Sequence, residues 1–216
     1  LAIGANDCTL LKAYPKWVEK GGFEPAYELV PEDIGQNDNI EILFDFFSAK
    51  RCAQFTGGYV PFKIITAISM FFDLDDPNAF LKDIKKVLAP DGLFVIQMNY
   101  LPTMLENNAA DNIVHEHLTF YSEDTLRSLL EKNGFYIEDA ELNDLNGGSI
   151  RVYIRHVSAE RWPCPSSDRV VAIRKAEDKL ALNTLAPYKA FRDRVAEIAY
   201  KLQTFIPLEK FNGRTT

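Results

Sequence analysis

The first hundred residues of the chain alternate between short apolar runs and segments whose apolar side chains recur at helical spacing. Residues 62–68 and 93–96 are rich in β-branched and aromatic side chains, as buried strands are. The segment between them carries apolar side chains on one helical face, at Phe80, Leu81, Ile84, Val87 and Leu88. A turn is predicted at residues 90–92, which are Pro-Asp-Gly. The alternation predicts an α/β fold with a doubly wound, mostly parallel sheet.

The second half of the chain adds a different pattern. Residues 135–142 and 149–154 alternate as strands do and are joined by a short polar loop, which predicts a terminal antiparallel pair. Beyond residue 168 we predict a C-terminal helical extension. Six of its apolar side chains fall at gaps of three and four: Tyr188, Phe191, Val195, Ile198, Leu202 and Phe205. We predict that this stripe packs against the rest of the chain or against a second copy.

Charge and composition disfavour several other classes of protein. The chain has 24 Lys and Arg against 31 Asp and Glu, a net charge of −7, which disfavours non-specific nucleic-acid binding. No apolar run approaches the ~18 residues of a membrane span, and no secretory signal is visible. The three cysteines are far apart and form no zinc-binding pair. We therefore predict a cytoplasmic location without nucleic-acid or membrane partners, and we leave a homodimer open.

Ligands of parallel α/β sheets bind at the carboxyl ends of the strands. In this sequence those ends are expected at residues 4–8, Glu24, Asp45 and residues 68–72, and from Asn99 onward.

The first candidate site lies at the strand ends nearest the N-terminus. Gly4, Asn6 and Asp7 follow an apolar strand, where a glycine lets a ligand approach the backbone closely. Glu24 closes the next strand, where an acid can hold both hydroxyls of an adenosine ribose, and Asp45 ends the third. The alternatives are an ordinary turn for the glycine segment and solvated acids at the other two positions. Together these residues predict an adenosine-containing cofactor, and the missing Gly-x-Gly-x-x-Gly pattern disfavours NAD.

Two of the three histidines lie together, in His115-Glu116-His117. Histidine accepts protons near neutral pH, so this segment is a candidate for acid–base catalysis. Zinc binding is a second interpretation. However, helical zinc sites favour i, i+4 spacing and no cysteine lies nearby, so we predict no metal. Structural hydrogen bonding is the third interpretation.

A further polar segment, residues 146–151, contains Asn146, Ser149 and Arg151. It is either a hairpin turn followed by an edge strand or a polar loop that closes over a substrate.

These segments, in this order, resemble the S-adenosylmethionine-dependent C-methyltransferases that act on nucleotide-linked deoxysugars. The family's Asp-x-Gly-x-Asn-Asp-Gly corresponds to residues 2–8, and its Glu-Pro matches Glu24 and Pro25. Its Tyr-His-Glu-His-x-x-Tyr-Tyr-Ser corresponds to residues 114–122, and its Asn-Gly-Gly-Ser-x-Arg matches residues 146–151. The last two motifs together are quite specific.

The resemblance implies a class I methyltransferase fold of Rossmann-like type, with S-adenosylmethionine as cofactor and a nucleotide-sugar as small-molecule substrate. It implies that a base removes a proton beside a keto group, and that the enolate carbon attacks the methyl group. In that scheme His117 is the base, Glu116 orients or charges the site, and His115 assists. The implied binding residues are Gly4, Asn6, Asp7, Glu24 and Asp45 for the cofactor, and Asn146, Ser149 and Arg151 for the substrate.

The resemblance also implies that the chain belongs to a longer protein with a zinc module before it and a Rossmann-like domain after it. We expect a cofactor domain at residues 1–156, then a linker and the helical start of a truncated C-terminal domain at residues 157–216. Ala2, Cys8 and Val114 replace an acid, a glycine and a tyrosine of the family. They favour one alternative, a methyltransferase-like binding or scaffold domain without catalysis. A small-molecule O-methyltransferase is a second alternative, because that reaction also needs a base.

Overall fold

A computed structural model describes residues 1–34, 39–58, 61–157 and 164–214. Its strands are β1 (Ala2–Ile3), β2 (Lys20–Phe23), β3 (Ile40–Leu43), β4 (Phe62–Ile68), β5 (Leu88–Asn99), β6 (Phe135–Asn143) and β7 (Ser149–His156). They form one sheet in the order β3-β2-β1-β4-β5-β7-β6. The first five strands are parallel, and β7 runs antiparallel to both β5 and β6. The predicted doubly wound sheet with a terminal antiparallel pair is therefore confirmed.

The α-helices of the described part are α1 (Thr9–Ala13), α2 (Ala49–Phe55), α3 (Pro77–Val87), α4 (Leu101–Asn107), α5 (Glu123–Lys132), α6 (Asp168–Glu177) and α7 (Ala186–Phe211). Four of them, α2, α3, α5 and α6, begin at a Ser or Asp side chain that caps them. The side chain of Ser48 accepts a bond at the start of α2, and Ser122 forms a capping box with Thr125 at the start of α5. None of the described helices is long and apolar enough to cross a membrane.

The predicted turn at residues 90–92 is wrong, because β5 runs through it. The register between β4 and β5 shifts between Phe62 and Ile64, so the extra residues of β5 bulge out of the ladder. Gly92 is required there: an added Cβ would lie 2.7 Å from a methyl carbon of Leu88 and 2.9 Å from the carbonyl oxygen of Phe62. The Pro-Asp-Gly sequence therefore produces a bulge within a strand.

Most of the core lies on one face of the sheet. Strand residues such as Ile65, Ala67, Phe94 and Ile96 pack there with helix residues such as Leu81, Ile84, Leu126 and Leu130. A smaller cluster around Ala5, Cys8 and Leu11 forms under α1 on the opposite face. On that second face the centre of the sheet is less covered, and Ile64 of β4 is 40% exposed. This uncovered area becomes the floor of the large cavity described below.

The C-terminal extension is fastened to the sheet domain at its first helix. Glu177, the last residue of α6, is 6% exposed and accepts a bond from the Tyr100 hydroxyl (2.5 Å) just after β5. It also accepts bonds from the backbone N–H groups of Glu123 (2.6 Å) and Asp124 (3.2 Å) at the N-terminus of α5. Burial, followed by the bond to Glu177, raises the pKa of Tyr100, so its hydroxyl remains a donor.

Removal of the Glu177 carboxylate is expected to destabilise the fold. Glu177→Ala leaves three donors without their acceptor, two of them buried, and should lower the free energy of unfolding by about 2–4 kcal/mol. Urea denaturation followed by circular dichroism measures this change. Glu197→Ala is the matched control. Glu197 pairs with Lys201 on the exposed surface of α7 and has no other ion pair in the described part of the chain, so no measurable change is expected there. Equal stability of the two variants would contradict the fastening role.

The apolar stripe of α7 is covered only in its first half. Phe191 is 8% exposed and packs with Met104 and Leu105 of α4, and Val195 contacts the same cluster. Helix α4 has only seven residues and ends before it reaches the rest of the stripe. Tyr188, Ile198, Leu202 and Phe205 are 36–54% exposed. Within this chain the predicted packing is therefore seen for Phe191 and Val195, and packing of the distal half against a second copy stays a prediction.

Candidate functional site

A cavity of about 1110 Å³ opens at the carboxyl ends of β1 to β4. Its rim contains the candidate cofactor residues Gly4, Asn6, Asp7, Glu24 and Asp45, so the fold brings all five of them together. Its floor is the less covered sheet face, formed by residues such as Ile64, Thr66, Val95 and Gln97. Carboxyl ends of parallel strands are where ligands of such sheets bind.

The loop after β1 contains three residues with positive φ angles. Gly4 has φ +70°, and an added Cβ would lie 3.4 Å from Cγ of Met70, so this position favours glycine. Asn6 and Cys8 also have positive φ, at 50° and 63°. Cys8 therefore occupies a left-handed position that suits the family's glycine better, while its side chain is fully buried under α1. Asp7 caps this turn by accepting bonds from the N–H and hydroxyl of Thr9.

Glu24 is fixed at the tip of β2 by backbone donors. It is 6% exposed, and its Oε2 accepts a bond from the N–H of Asn6 (2.8 Å) while its Oε1 accepts one from the N–H of Ala26 (3.0 Å). Each carboxylate oxygen keeps acceptor capacity for a second donor. A rigid, buried acid that lines the cavity is well suited to hold a pair of vicinal hydroxyls.

Asp45 follows β3, and its carboxylate bonds to two neighbouring groups. Its carboxylate pairs with Arg51 (2.5 Å) and accepts a bond from the N–H of Phe46 (2.8 Å). Phe46 itself lines the large cavity and is 76% exposed. An exposed aromatic ring on a cavity wall offers a flat apolar surface for a planar ligand group. Phe46 was not among the residues predicted from the sequence, although its position directly after the strand-end Asp45 could have indicated it.

A second, polar cavity of about 320 Å³ adjoins the first. It is lined by Ser69, Phe72, Asp73, Asn99, Asp111, Asn112, His117 and Asn146. Thus the fold brings two of the sequence candidates, His117 and Asn146, into one small cavity. Ser69 and Asp73 line both cavities, so the two spaces meet at the loop that follows β4.

The His117 ring is held on three sides. Its Nδ1 lies 2.8 Å from the backbone oxygen of Asn112, and its centroid lies 4.3 Å from that of Phe72 and 6.2 Å from that of Phe120. A carbonyl oxygen can only accept, so Nδ1 carries the proton and Nε2 is left as the basic nitrogen. The ring is therefore both oriented and able to accept a proton.

Asp73 is a site residue that the sequence analysis did not name. Desolvation raises the pKa of its carboxyl group, His117 opposes the shift, and Glu116 adds to it. It lies one residue beyond the predicted ligand-facing segment 68–72. Ser69 in that segment has φ 54°, an unfavourable conformation for a serine that places the loop between the two cavities.

The remaining candidates lie outside the small cavity. The side chain of His115 is 91% exposed and pairs with Glu116 (3.0 Å), so the structure does not bring Glu116 into contact with His117. Ser149 is buried and donates to the backbone oxygen of Leu145 (2.8 Å). Arg151 lies on the floor of the large cavity, bonded to Gln97 and Glu141. Within the described ranges no group of three or more His, Cys, Asp or Glu side chains could hold a metal ion.

Comparison with known proteins identifies the family. A family model described as "Methyltransferase domain" matches residues 4–140. The chain belongs to the methyltransferase domain family. The predicted methyltransferase class is thereby confirmed. A second model, described as "C-methyltransferase C-terminal domain", matches residues 144–216, while our boundary at residues 156 and 157 remains a prediction.

Similar proteins agree with this assignment. The C-methyltransferase NovU of Streptomyces niveus is 27% identical over 156 residues, which are 72% of this methyltransferase chain and 37% of that protein. The chain thus spans little more than a third of the curated relative. Among solved structures, the mitomycin 7-O-methyltransferase MmcR superposes with a TM-score of 0.54 at 22% identity, over 72% of this chain and 48% of that one. A SAM-dependent methyltransferase from Aquifex aeolicus gives 0.50 at 18% identity, over 71% and 79%. These structures show the shared fold.

Proposed function

We propose that the chain is the cofactor and catalytic part of a C-methyltransferase, and that it transfers a methyl group from S-adenosylmethionine to a carbon of a nucleotide-linked keto-deoxysugar. One observation carries the proposal. The large cavity, with its buried acid and exposed aromatic ring, meets the small cavity, with its oriented histidine, at Ser69 and Asp73. A methyl donor in the first space and an acceptor in the second would adjoin at that point.

The residues of the large cavity fit S-adenosylmethionine. Glu24 would accept bonds from the two ribose hydroxyls, because its oxygens are fixed and face the cavity. Phe46 would stack on the adenine ring. Gly4 leaves room at the turn where a side chain would press on Met70, which favours close approach of the cofactor to the backbone. The cofactor would supply an electrophilic methyl group on a sulfonium.

The residues of the small cavity fit proton removal from a polar substrate. Nε2 of His117 would take the proton from the carbon beside a keto group. Asn146 lines the same space, and its amide would donate a bond to the enolate oxygen that forms. The enolate carbon would then bond to the methyl group as the C–S bond breaks, and the sulfur would keep the electron pair. Hydroxyl groups of a sugar suit the many acceptors of this cavity.

Two similarities support the C-methylation chemistry over O-methylation. The second family model carries C-methyltransferase in its description, and NovU is named a C-methyltransferase. The test is incubation with S-adenosylmethionine and a panel of nucleotide-linked keto-deoxysugars, with the product analysed by mass spectrometry and NMR. A new carbon–methyl bond is expected. A methyl ether would favour the O-methyltransferase alternative, and cofactor binding without any product would favour a binding domain.

The proposed stacking of Phe46 gives a separate prediction. Phe46→Ala should weaken binding of S-adenosylmethionine by ~1–3 kcal/mol, a loss of roughly 5- to 150-fold in affinity. Isothermal titration measures it. Phe44→Ala is the matched control, because Phe44 lies two residues earlier, is 54% exposed and does not line the cavity. A similar loss in both variants would argue against stacking at Phe46.

A further inference from the structure

We propose that Asn99 is a positioning residue that acts through Asn112 to keep His117 in the tautomer with its proton on Nδ1. The geometry that leads to this inference is a continuous chain of contacts from the central sheet to the histidine ring. The consequence for catalysis rests on the proposed function, whereas the effect on the tautomer does not.

The chain of contacts begins at the end of a central strand. Asn99 is the last residue of β5 and is 6% exposed. Its Nδ2 donates to Oδ1 of Asn112 at 2.6 Å. Asn112 ends the short 3₁₀ turn Ala110–Asn112, whose closing backbone bond to Ala109 is long, at 3.3 Å. The side-chain bond therefore ties this turn to the rigid sheet.

This 3₁₀ turn supplies the hydrogen-bond acceptor for the His117 ring. The backbone oxygen of Asn112 accepts the bond from Nδ1 of His117 and also one from the N–H of Val114. Phe72 and Phe120 pack on the ring but are apolar, so they cannot distinguish one ring nitrogen from the other. In the part of the chain that the structure describes, Asn112 is the single hydrogen-bond partner of the His117 ring. Displacement of this carbonyl would thus release the tautomer.

One side-chain atom of Asn99 is buried and unpaired in the described part of the chain. Its Oδ1 is shielded from solvent and has no hydrogen-bond partner among the described residues. A buried polar atom without a partner lowers stability, and such atoms in a native protein call for a reason. Because Asn99 also lines the small cavity, we infer that the reason is the placement of Asn112.

The test uses the chain labelled with ¹⁵N, in which only three histidines contribute ring signals. Spectra are recorded above the ordinary histidine pKa of about 6.5, where the neutral ring dominates. The wild-type His117 is expected in the Nδ1–H form. Asn99→Leu should convert it to a mixture of both tautomers without lowering the thermal midpoint. An unchanged Nδ1–H signal in Asn99→Leu would overturn the proposal.

Asn143→Leu is the matched control. Asn143 ends β6, pairs with Ser149 across the sheet as Asn99 does, and also has a buried amide atom without a partner. It has no bond to Asn112, so the wild-type tautomer is expected, and a mixture in this variant would contradict a specific role of Asn99. Should Asn99→Leu fail to fold, Asn112→Ala removes the same link at its other end and should give the same mixture.

A kinetic measurement separates this inference from the proposed function. Once a substrate that the chain methylates has been identified, Asn99→Leu should lower kcat. The KM for S-adenosylmethionine should stay unchanged, because Asn99 does not line the large cavity. A wild-type chain that binds the cofactor and methylates nothing would refute the proposed function, and the tautomer comparison would still decide the role of Asn99.

Discussion

His117→Asn is expected to lower the rate of methyl transfer by roughly 10²–10⁴ while S-adenosylmethionine binds as in the wild type. The ring lines the small cavity, Nδ1 is engaged by Asn112, and Nε2 is left to accept a proton. Asparagine retains a polar group of similar reach but cannot act as a base near neutral pH. The measurement is single-turnover methylation at saturating cofactor, together with isothermal titration of S-adenosylmethionine.

His115→Asn is the comparison within the same motif. Its side chain is 91% exposed and, among the described residues, pairs with Glu116 alone, outside both cavities. The resemblance gives His115 an assisting role, whereas its position predicts a far smaller loss than at His117. Equal losses at the two histidines would contradict the assignment of the base, and wild-type turnover of His117→Asn would remove His117 from the reaction.

Glu24→Ala is the second change with a large expected effect. A buried carboxylate that accepts bonds from two ribose hydroxyls contributes about 3 kcal/mol, so the affinity for S-adenosylmethionine should fall roughly 100-fold. Glu24→Gln keeps one acceptor oxygen and should lose less. Isothermal titration with S-adenosylmethionine and S-adenosylhomocysteine measures both, because the two ligands share the adenosine part.

The control for Glu24 lies four residues further along the chain. Glu28 is an exposed acid of the turn Tyr27–Leu29 and does not line the cavity, so Glu28→Ala should bind the cofactor as the wild type does. Thermal denaturation of Glu24→Ala checks that the loop bonds to Asn6 and Ala26 are not needed for folding. A folded Glu24→Ala with unchanged affinity would exclude this acid from the site.

The sheet could be predicted from sequence because its signals are local. Neighbouring residues alone give the apolar runs at 62–68 and 93–96 and the alternating pattern of the last two strands. The same holds for the proline and the caps at the helix starts. The predicted turn at residues 90–92 failed for a related reason. Its Pro-Asp-Gly composition is that of a turn, but β5 pairs with β4 both before it, at Leu88, and after it, at Leu93, so the strand continues past a bulge.

The rim of the large cavity was also predictable, since parallel strands bring their carboxyl ends to one edge. The three strand-end segments at Gly4, Glu24 and Asp45 therefore met as expected. The extent of α7 packing was not predictable, because it depends on the length of α4, which covers Phe191 and leaves Leu202 exposed.

By itself, the sequence determined the α/β class of the fold, the terminal antiparallel pair and the sheet edge at which the candidate cofactor residues meet. Only the tertiary structure decided which polar residues share a cavity. Asp73 lies just after β4 and Asn99 ends the neighbouring strand β5, and the contacts of His117 with Asn112 and Phe72 bring its ring to the same cavity. The tertiary structure also places His117 and His115 in different surroundings, although they are two residues apart. The bond to Asn112 and the contact with Phe72 hold the His117 ring in the small cavity. Hydrogen bonds between distant segments have no periodicity in the sequence, so no local pattern could have predicted them.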